Sequence, residues 1–425
     1  MSAARHAPIK ASKKAVSGAP GRPSGAGAHG GNSGSGRSSG GRSSGGLASG
    51  GLASGGLASG GRSRGKWIIG VVVLVVAVAA GGLVVATRNK NSTASATPPP
   101  PPPPLTVTST TPTGTSVAGG STIAVQFSTA LAPGSPMPTL SPAVAGSWSI
   151  LSPSLVQYSA TGPLIPGVTE TITVPGGTAG VVGSRGQHLA ASVTSAFTVA
   201  QGSELRLQQL LAELGYLPLS FTPAAPVTSP AQEGNDQVGT FAWRWANQPT
   251  SLTSLWTPGT DNVITRGAVM NFESQHNLTT DGLAGPKVWT ALLAATAAGQ
   301  GNALPYGYVL VSESLPETAT VYQNGAETYE TPVNTGSASV PTAQGTFPVY
   351  ERFTSTTMSG TNPDGSKYVD PGIPWVSYFN GGDALHGYVR AAYGFPQSDG
   401  CVEMPIANAA IVFPQTPLGT LVTVA

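Results

Sequence analysis

Between Trp67 and Thr87 run twenty-one residues without a charged side chain. At about 1.5 Å of rise per residue, such a helix spans roughly 30 Å, the thickness of a bilayer's hydrocarbon core. The run reads as a transmembrane helix, and it fixes what can lie on either side. Residues 1–66 carry ten Lys or Arg and no acid, Arg88 and Lys90 follow, and residues 91–425 hold the other eight cations beside all eighteen acids. An excess of Lys and Arg before the helix sets the N-terminus in the cytoplasm and the bulk of the chain outside, a single-pass type II topology in the cell membrane. A cleaved signal peptide is the alternative, with Ala94-Ser95-Ala96 as its small-x-small site. The run is longer than an ordinary h-region, however, and Arg88 and Lys90 stand between it and that site. With so few cations beyond residue 90, a nucleic-acid partner is disfavoured.

Composition then separates the segments. Residues 1–66 are Gly-Ser repeats with almost nothing to build a core, and read as a disordered basic cytoplasmic tail. Residues 88–104 form a linker ending in seven consecutive prolines, an extended polyproline spacer. From 105 to 200, short alternating runs such as Ile123, Val125 and Phe127 are punctuated by Gly and Pro, the pattern of a β-sandwich. Residues 203–297 turn helical. Leu207, Leu210, Leu211 and Leu214 follow one helix face, Ala268, Val269 and Phe272 another, and Pro286 opens a third helix. A long Pro-containing insertion, 217–256, separates the first helix from the second. From 305 to 425 the pattern is β again, with Asn324-Gly325 suited to a two-residue hairpin turn.

Cys401 is the only cysteine. In an exported chain it has no intramolecular disulfide partner, which leaves two readings, a nucleophile or a small buried apolar side chain. His386 is the only histidine of this last segment and lies fifteen residues earlier. A cysteine nucleophile needs a base, an oriented base, and donors for an oxyanion. Gly400 permits close approach of a substrate carbonyl to the backbone. Pro405 is suited to open a short helix through Phe413.

Three resemblances follow from these residues. Phe127-Ser128-Thr129-Ala130-Leu131, Gly146-Ser147-Trp148 and Leu164-Ile165-Pro166-Gly167 resemble bacterial immunoglobulin-like domains, implying a spacer. Leu207 to Tyr216, Ala268 to Gly282 (with Glu273 where Gln is usual) and Gly285 to Leu292 resemble the three-helix peptidoglycan-binding domain. Finally, His386-Gly387, Gly394-Phe395-Pro396 and Ser398-Asp399-Gly400-Cys401-Val402-Glu403 resemble the signature of the L,D-transpeptidase catalytic domain.

The last resemblance implies Cys401 as nucleophile, His386 as general base, the Gly387 carbonyl as its orienter and the backbone around Gly400 as oxyanion donor. Tyr378, Ser398, Asp399 and Glu403 become the substrate-binding set. Asp399 stands where the family has His, and Glu403 where it has Arg or Asn. An ionised Asp399 beside a thiolate is awkward, so its expected role is to fix the turn through side-chain to backbone hydrogen bonds. The implied reaction forms 3→3 cross-links between peptidoglycan stem peptides through a thioester, with no metal or other cofactor. The expected molecule is thus multidomain: tail, transmembrane helix, Ig-like β-sandwich, three-helix wall-binding domain and mainly-β catalytic domain. A wall anchor with an impaired catalytic domain, an L,D-carboxypeptidase and a protein-to-wall ligase remain open. A sortase would need an Arg after Cys401, and none follows.

Overall fold

The computed structural model describes residues 100–227, 232–362 and 364–425. The tail, the apolar run and the linker up to residue 99 lie outside the described residues. Among those described, no helix is long and apolar enough to cross a membrane.

Eight strands come first: β1 (Val107–Thr111), β2 (Gly114–Val117), β3 (Ile123–Phe127), β4 (Thr139–Ser141), β5 (Gly146–Ser152), β6 (Leu155–Ala160), β7 (Thr169–Val174) and β8 (Val193–Val199). They form two four-stranded sheets, ordered β1-β3-β6-β5 and β2-β8-β7-β4. Alternation along the strands sends Val125, Val156, Ile172 and Val174 into a common core, where each is fully buried. Glu170 on β7 is buried there too, and desolvation pushes its carboxyl up to about 7.

Four helices follow, α1 (Glu204–Glu213), α2 (Thr250–Thr253), α3 (Val263–Gln275) and α4 (Pro286–Ala298). Each long one starts where the sequence supplies a cap or a proline. Ser203 Oγ accepts from the Arg206 N–H and Asn262 Oδ1 from the Thr265 N–H, while Pro286 occupies the first turn of α4. The 217–256 insertion is not mere loop. It forms an antiparallel hairpin, β9 (Leu219–Pro223) with β10 (Gly239–Trp243), and the short α2. Phe221 and Phe241 face each other in register with ring centroids 5.0 Å apart.

The C-terminal part contains β11 (Gly307–Ser312), β12 (Thr318–Gln323), β13 (Ala326–Pro332), β14 (Gly345–Pro348), β15 (Glu351–Thr361), β16 (Lys367–Asn380), β17 (Asp383–Gly387), β18 (Val402–Met404), α5 (Ile406–Val412) and β19 (Leu421–Val424). One sheet runs β13-β12-β11-β19-β14 and the other β15-β16-β17-β18. Val309, Val311, Val321, Val402, Met404 and Val422 form the core they share. Asn324 and Gly325 make the β12–β13 turn with φ of 50° and 78°, the left-handed conformation such a turn requires. Tyr308 and Leu421 belong instead to the core of the helical part, so the helices and the C-terminal sheet are packed together.

Candidate active site

The site is built where β17 and β18 run parallel. Leu385 pairs with Val402 and His386 with Glu403. Because side chains alternate, Leu385 and Val402 point into the core while His386 and Glu403 share the opposite face, and Cys401, two residues before Glu403, emerges on that side. All three line one cleft of about 210 Å³, closed from the other side by Met358, Tyr368, Asp370 and Ile373 of the long β15–β16 hairpin. A wider groove of about 640 Å³ lies beside β9 and β10, lined by Phe221, Phe241, Trp243 and Trp256. It is lined by neither cysteine nor histidine, so the chemistry selects the smaller cleft.

His386 is buried, with Nδ1 3.1 Å from the Gly387 carbonyl oxygen. A carbonyl only accepts, so Nδ1 carries the proton and Nε2 is left as the basic nitrogen. Burial pulls the imidazole pKa down, opposed by the Gly387 carbonyl and the Glu403 charge. Burial pushes the Cys401 thiol up to about 12, and the nearby carboxylates of Asp383, Glu403 and Asp399 act in the same direction. The resting pair is therefore a neutral thiol and a neutral imidazole, not a preformed ion pair. The thiol donates to the Gly382 carbonyl at 3.6 Å.

Gly400 precedes the cysteine with φ of 104°, and a Cβ there would lie 2.9 Å from Asp383 Oδ1. Only glycine fits that turn without strain. Its N–H meets no acceptor among the described residues, which leaves it available to an oxyanion. The loop is clamped from below. The N–H groups of Gln397 and Ser398 both donate to the Thr335 carbonyl at 2.9 Å, and Thr335 is itself held by the buried carboxylate of Glu317.

The substrate-binding set divides. Asp399 lines the cleft, exposed, but its carboxylate makes no hydrogen bond among the described residues, so it does not fix the turn as expected. Ser398 does that instead. It is 1% exposed and its hydroxyl donates to the Cys401 carbonyl at 2.6 Å, which removes it from the substrate-binding set. Tyr378 is half-buried, packed among Tyr350 and Phe353 beside the cysteine but not on the cleft lining, so it acts as a support. Glu403 is committed, accepting from Arg390 Nε at 2.7 Å and Nη2 at 2.8 Å.

Arg390 escaped the sequence reading, as did Met358, Tyr368, Asp370 and Ile373. The only signal for Arg390 was an unmatched Glu403 after the nucleophile, which calls for a cation from elsewhere. Among the described residues, no group of three or more His, Cys, Asp or Glu is placed to hold a metal ion.

Residues 306–424 match the family model of the L,D-transpeptidase catalytic domain, YkuD. Among solved structures, the chain is similar to an L,D-transpeptidase from Mycobacterium smegmatis, with 12% identity over 76% of this chain and 100% of that one, at a TM-score of 0.26. L,D-transpeptidase 3 from Mycobacterium tuberculosis in complex with a faropenem-derived adduct gives 14% identity over 75% and 97%, at a TM-score of 0.26. The catalytic domain of the E. faecium L,D-transpeptidase gives 25% identity over 29% of this chain and 99% of that one, also at 0.26. No curated protein matches the sequence. The family model by itself makes residues 306–424 an L,D-transpeptidase catalytic domain, of the acyltransferase class.

Proposed function

We propose that this protein is a membrane-anchored peptidoglycan L,D-transpeptidase that forms 3→3 cross-links through a thioester on Cys401. The observation that carries the proposal is the shared cleft: the only cysteine and a buried histidine lie on one face of two paired strands, with the histidine's Nδ1 fixed on the Gly387 carbonyl. Cys401 Sγ attacks the carbonyl carbon of the diamino acid's L-centre in a stem tetrapeptide. As the S–C bond forms, the thiol proton passes to Nε2 of His386. The developing oxyanion is met by the Gly400 N–H. Collapse breaks the C–N bond and expels D-alanine, whose amine takes the proton back from His386. The side-chain amine of a second stem peptide then attacks the thioester, with His386 again accepting the proton, and the thiolate leaves and is reprotonated.

Because the resting thiol is neutral, deprotonation accompanies attack instead of preceding it, and the base is indispensable. On this reading residues 67–87 hold the chain in the membrane, the β-sandwich sets a distance from it, and residues 203–297 bind the wall glycan.

Intact mass spectrometry after incubation with a carbapenem tests the core of the proposal. The parent protein should gain one covalent adduct, and Cys401→Ala none. An adduct retained in Cys401→Ala places the nucleophile elsewhere. No adduct in the parent favours a wall-binding anchor with an impaired catalytic domain.

A further inference from the structure

We propose that the Arg390–Glu403 pair is a positioning device for His386, holding β18 in register with the base and cancelling the charge that either partner alone would impose on it. The inference rests on the reading of His386 as the base. The pair is two-pronged, Nε and Nη2 of Arg390 donating to the two oxygens of Glu403 at 2.7 and 2.8 Å. The two side chains are 30% and 6% exposed, so the contact is largely withdrawn from water. Both partners are tied to the base. Glu403 stands opposite His386 in the strand register, where neighbouring parallel strands are about 4.8 Å apart. The guanidinium lies 4.7 Å over the Tyr388 ring, and that ring meets His386 edge-on at 6.0 Å. Glu403 also exchanges two backbone hydrogen bonds with Asn334, each 2.9 Å, so its position is not free to drift.

The charges around the imidazole make the pairing consequential. Facing His386 are Tyr368 and Asp370 from β16, Tyr388 and Arg390 from the following loop, and Asp399, Cys401 and Glu403 from the cysteine loop and β18. Helix α5, packed on β17, contributes no titratable side chain. Of these groups only Arg390 is a cation. With Arg390 removed, an unpaired carboxylate beside the ring favours imidazolium, which cannot accept the thiol's proton. With Glu403 removed, an unpaired guanidinium favours the neutral ring and also the thiolate. Together they leave the base near the value its burial and the Gly387 carbonyl impose. A full unit charge about 5–6 Å away displaces a titration by about two pH units at an effective dielectric near 20, and by about one where solvent screens the pair, as it reaches the 30% exposed Arg390.

The test uses the whole chain with labelled histidine, following the His386 imidazole by NMR against pH, with iodoacetamide alkylation of Cys401 as a second readout. Arg390→Gln should raise the His386 midpoint by about one unit and slow alkylation at neutral pH. Glu403→Gln should lower the midpoint by about one unit and speed alkylation. The double variant Arg390→Gln with Glu403→Gln, uncharged but still able to hydrogen-bond, should return the midpoint to within a few tenths of the parent. Shifts of the same sign in both single variants, or unchanged midpoints, overturn the proposal and leave the pair a structural tie. If a single variant fails to fold, the double variant decides: a midpoint displaced by a unit refutes charge cancellation. Failure of the transpeptidase reading is seen separately, as a parent protein that forms no carbapenem adduct whatever its histidine titration shows.

Discussion

At the residue scale, the cysteine loop is shaped by a glycine and a serine on either side of Asp399. Gly400 adopts a φ of 104° against Asp383, and Ser398 ties its hydroxyl to the Cys401 carbonyl. Gly400→Ala should cost about 1–3 kcal/mol in thermal unfolding, the range for a strained backbone position. It should also slow carbapenem acylation at least tenfold, because the shift needed to clear Asp383 moves the adjacent nucleophile. An acylation rate equal to the parent's would show that the loop tolerates a different turn. Asp399→Asn should stay within about tenfold of the parent acylation rate, about 1.4 kcal/mol in barrier, since the exposed carboxylate holds nothing in place. A loss as deep as that of Cys401→Ala would bring its charge into the chemistry. Cys401 and His386, which the structure brings to one cleft, could be singled out in the sequence because the segment holds one residue of each type. Arg390 could not, because an ion pair is set by which loop folds back onto which strand, and four residues after a histidine is no signature of that.

At the element scale, the β15–β16 hairpin does most to seclude the site. Its strands have eleven and fourteen residues, against the five or six usual for a strand. Their length carries Met358, Tyr368 and Ile373 over the cysteine. Only Tyr378 of this hairpin was picked out in the sequence, for a physical reason. Glu351–Thr361 has one exposed face and one only half-buried, so its alternation is of Thr, Ser and Met instead of strongly apolar residues. The two strands inside the insertion between α1 and α3 gave no signal for a similar reason, being short and partly exposed. Replacing residues 357–369 by a two-residue Asn-Gly turn removes cover from Cys401 but nothing from the core between the sheets. Since burial is the main cause of the raised thiol, its pKa should fall from about 12 toward its ordinary value. Iodoacetamide alkylation at pH 8 should speed up by more than tenfold. A rate left unchanged would mean that the neighbouring carboxylates, not the hairpin, keep the thiol protonated.

At the scale of the molecule, composition separates 203–297 from 305–425, yet the structure joins them through one core. Tyr308, a β11 residue whose apolar neighbours mark an ordinary strand, is 1% exposed among the helices' side chains. Its hydroxyl donates to Thr423 Oγ1 at 2.8 Å and lies 2.8 Å from Ser251 Oγ of α2. The backbones touch as well, since a Cβ added to Gly267 of α3 would stand 2.5 Å from the Gly419 carbonyl oxygen. No local pattern announces such a weld, because strand alternation says that a residue is buried but not against what. A rigid joint fixes the direction of the cleft relative to the helices, with no flexible linker between them to average it. Tyr308→Ala leaves a cavity at the joint and should cost about 3–5 kcal/mol, whereas Tyr308→Phe loses only the hydroxyl bonds, about 1–2 kcal/mol. The decisive measurement is hydrogen exchange on the full chain. In Tyr308→Ala, protection should fall together in α3 and in β19, because the two elements open as one unit. Loss confined to β11 and β19, with α3 as protected as in the parent, would show that the helices and the catalytic sheet are stabilised independently, leaving the cleft free to turn relative to the helices.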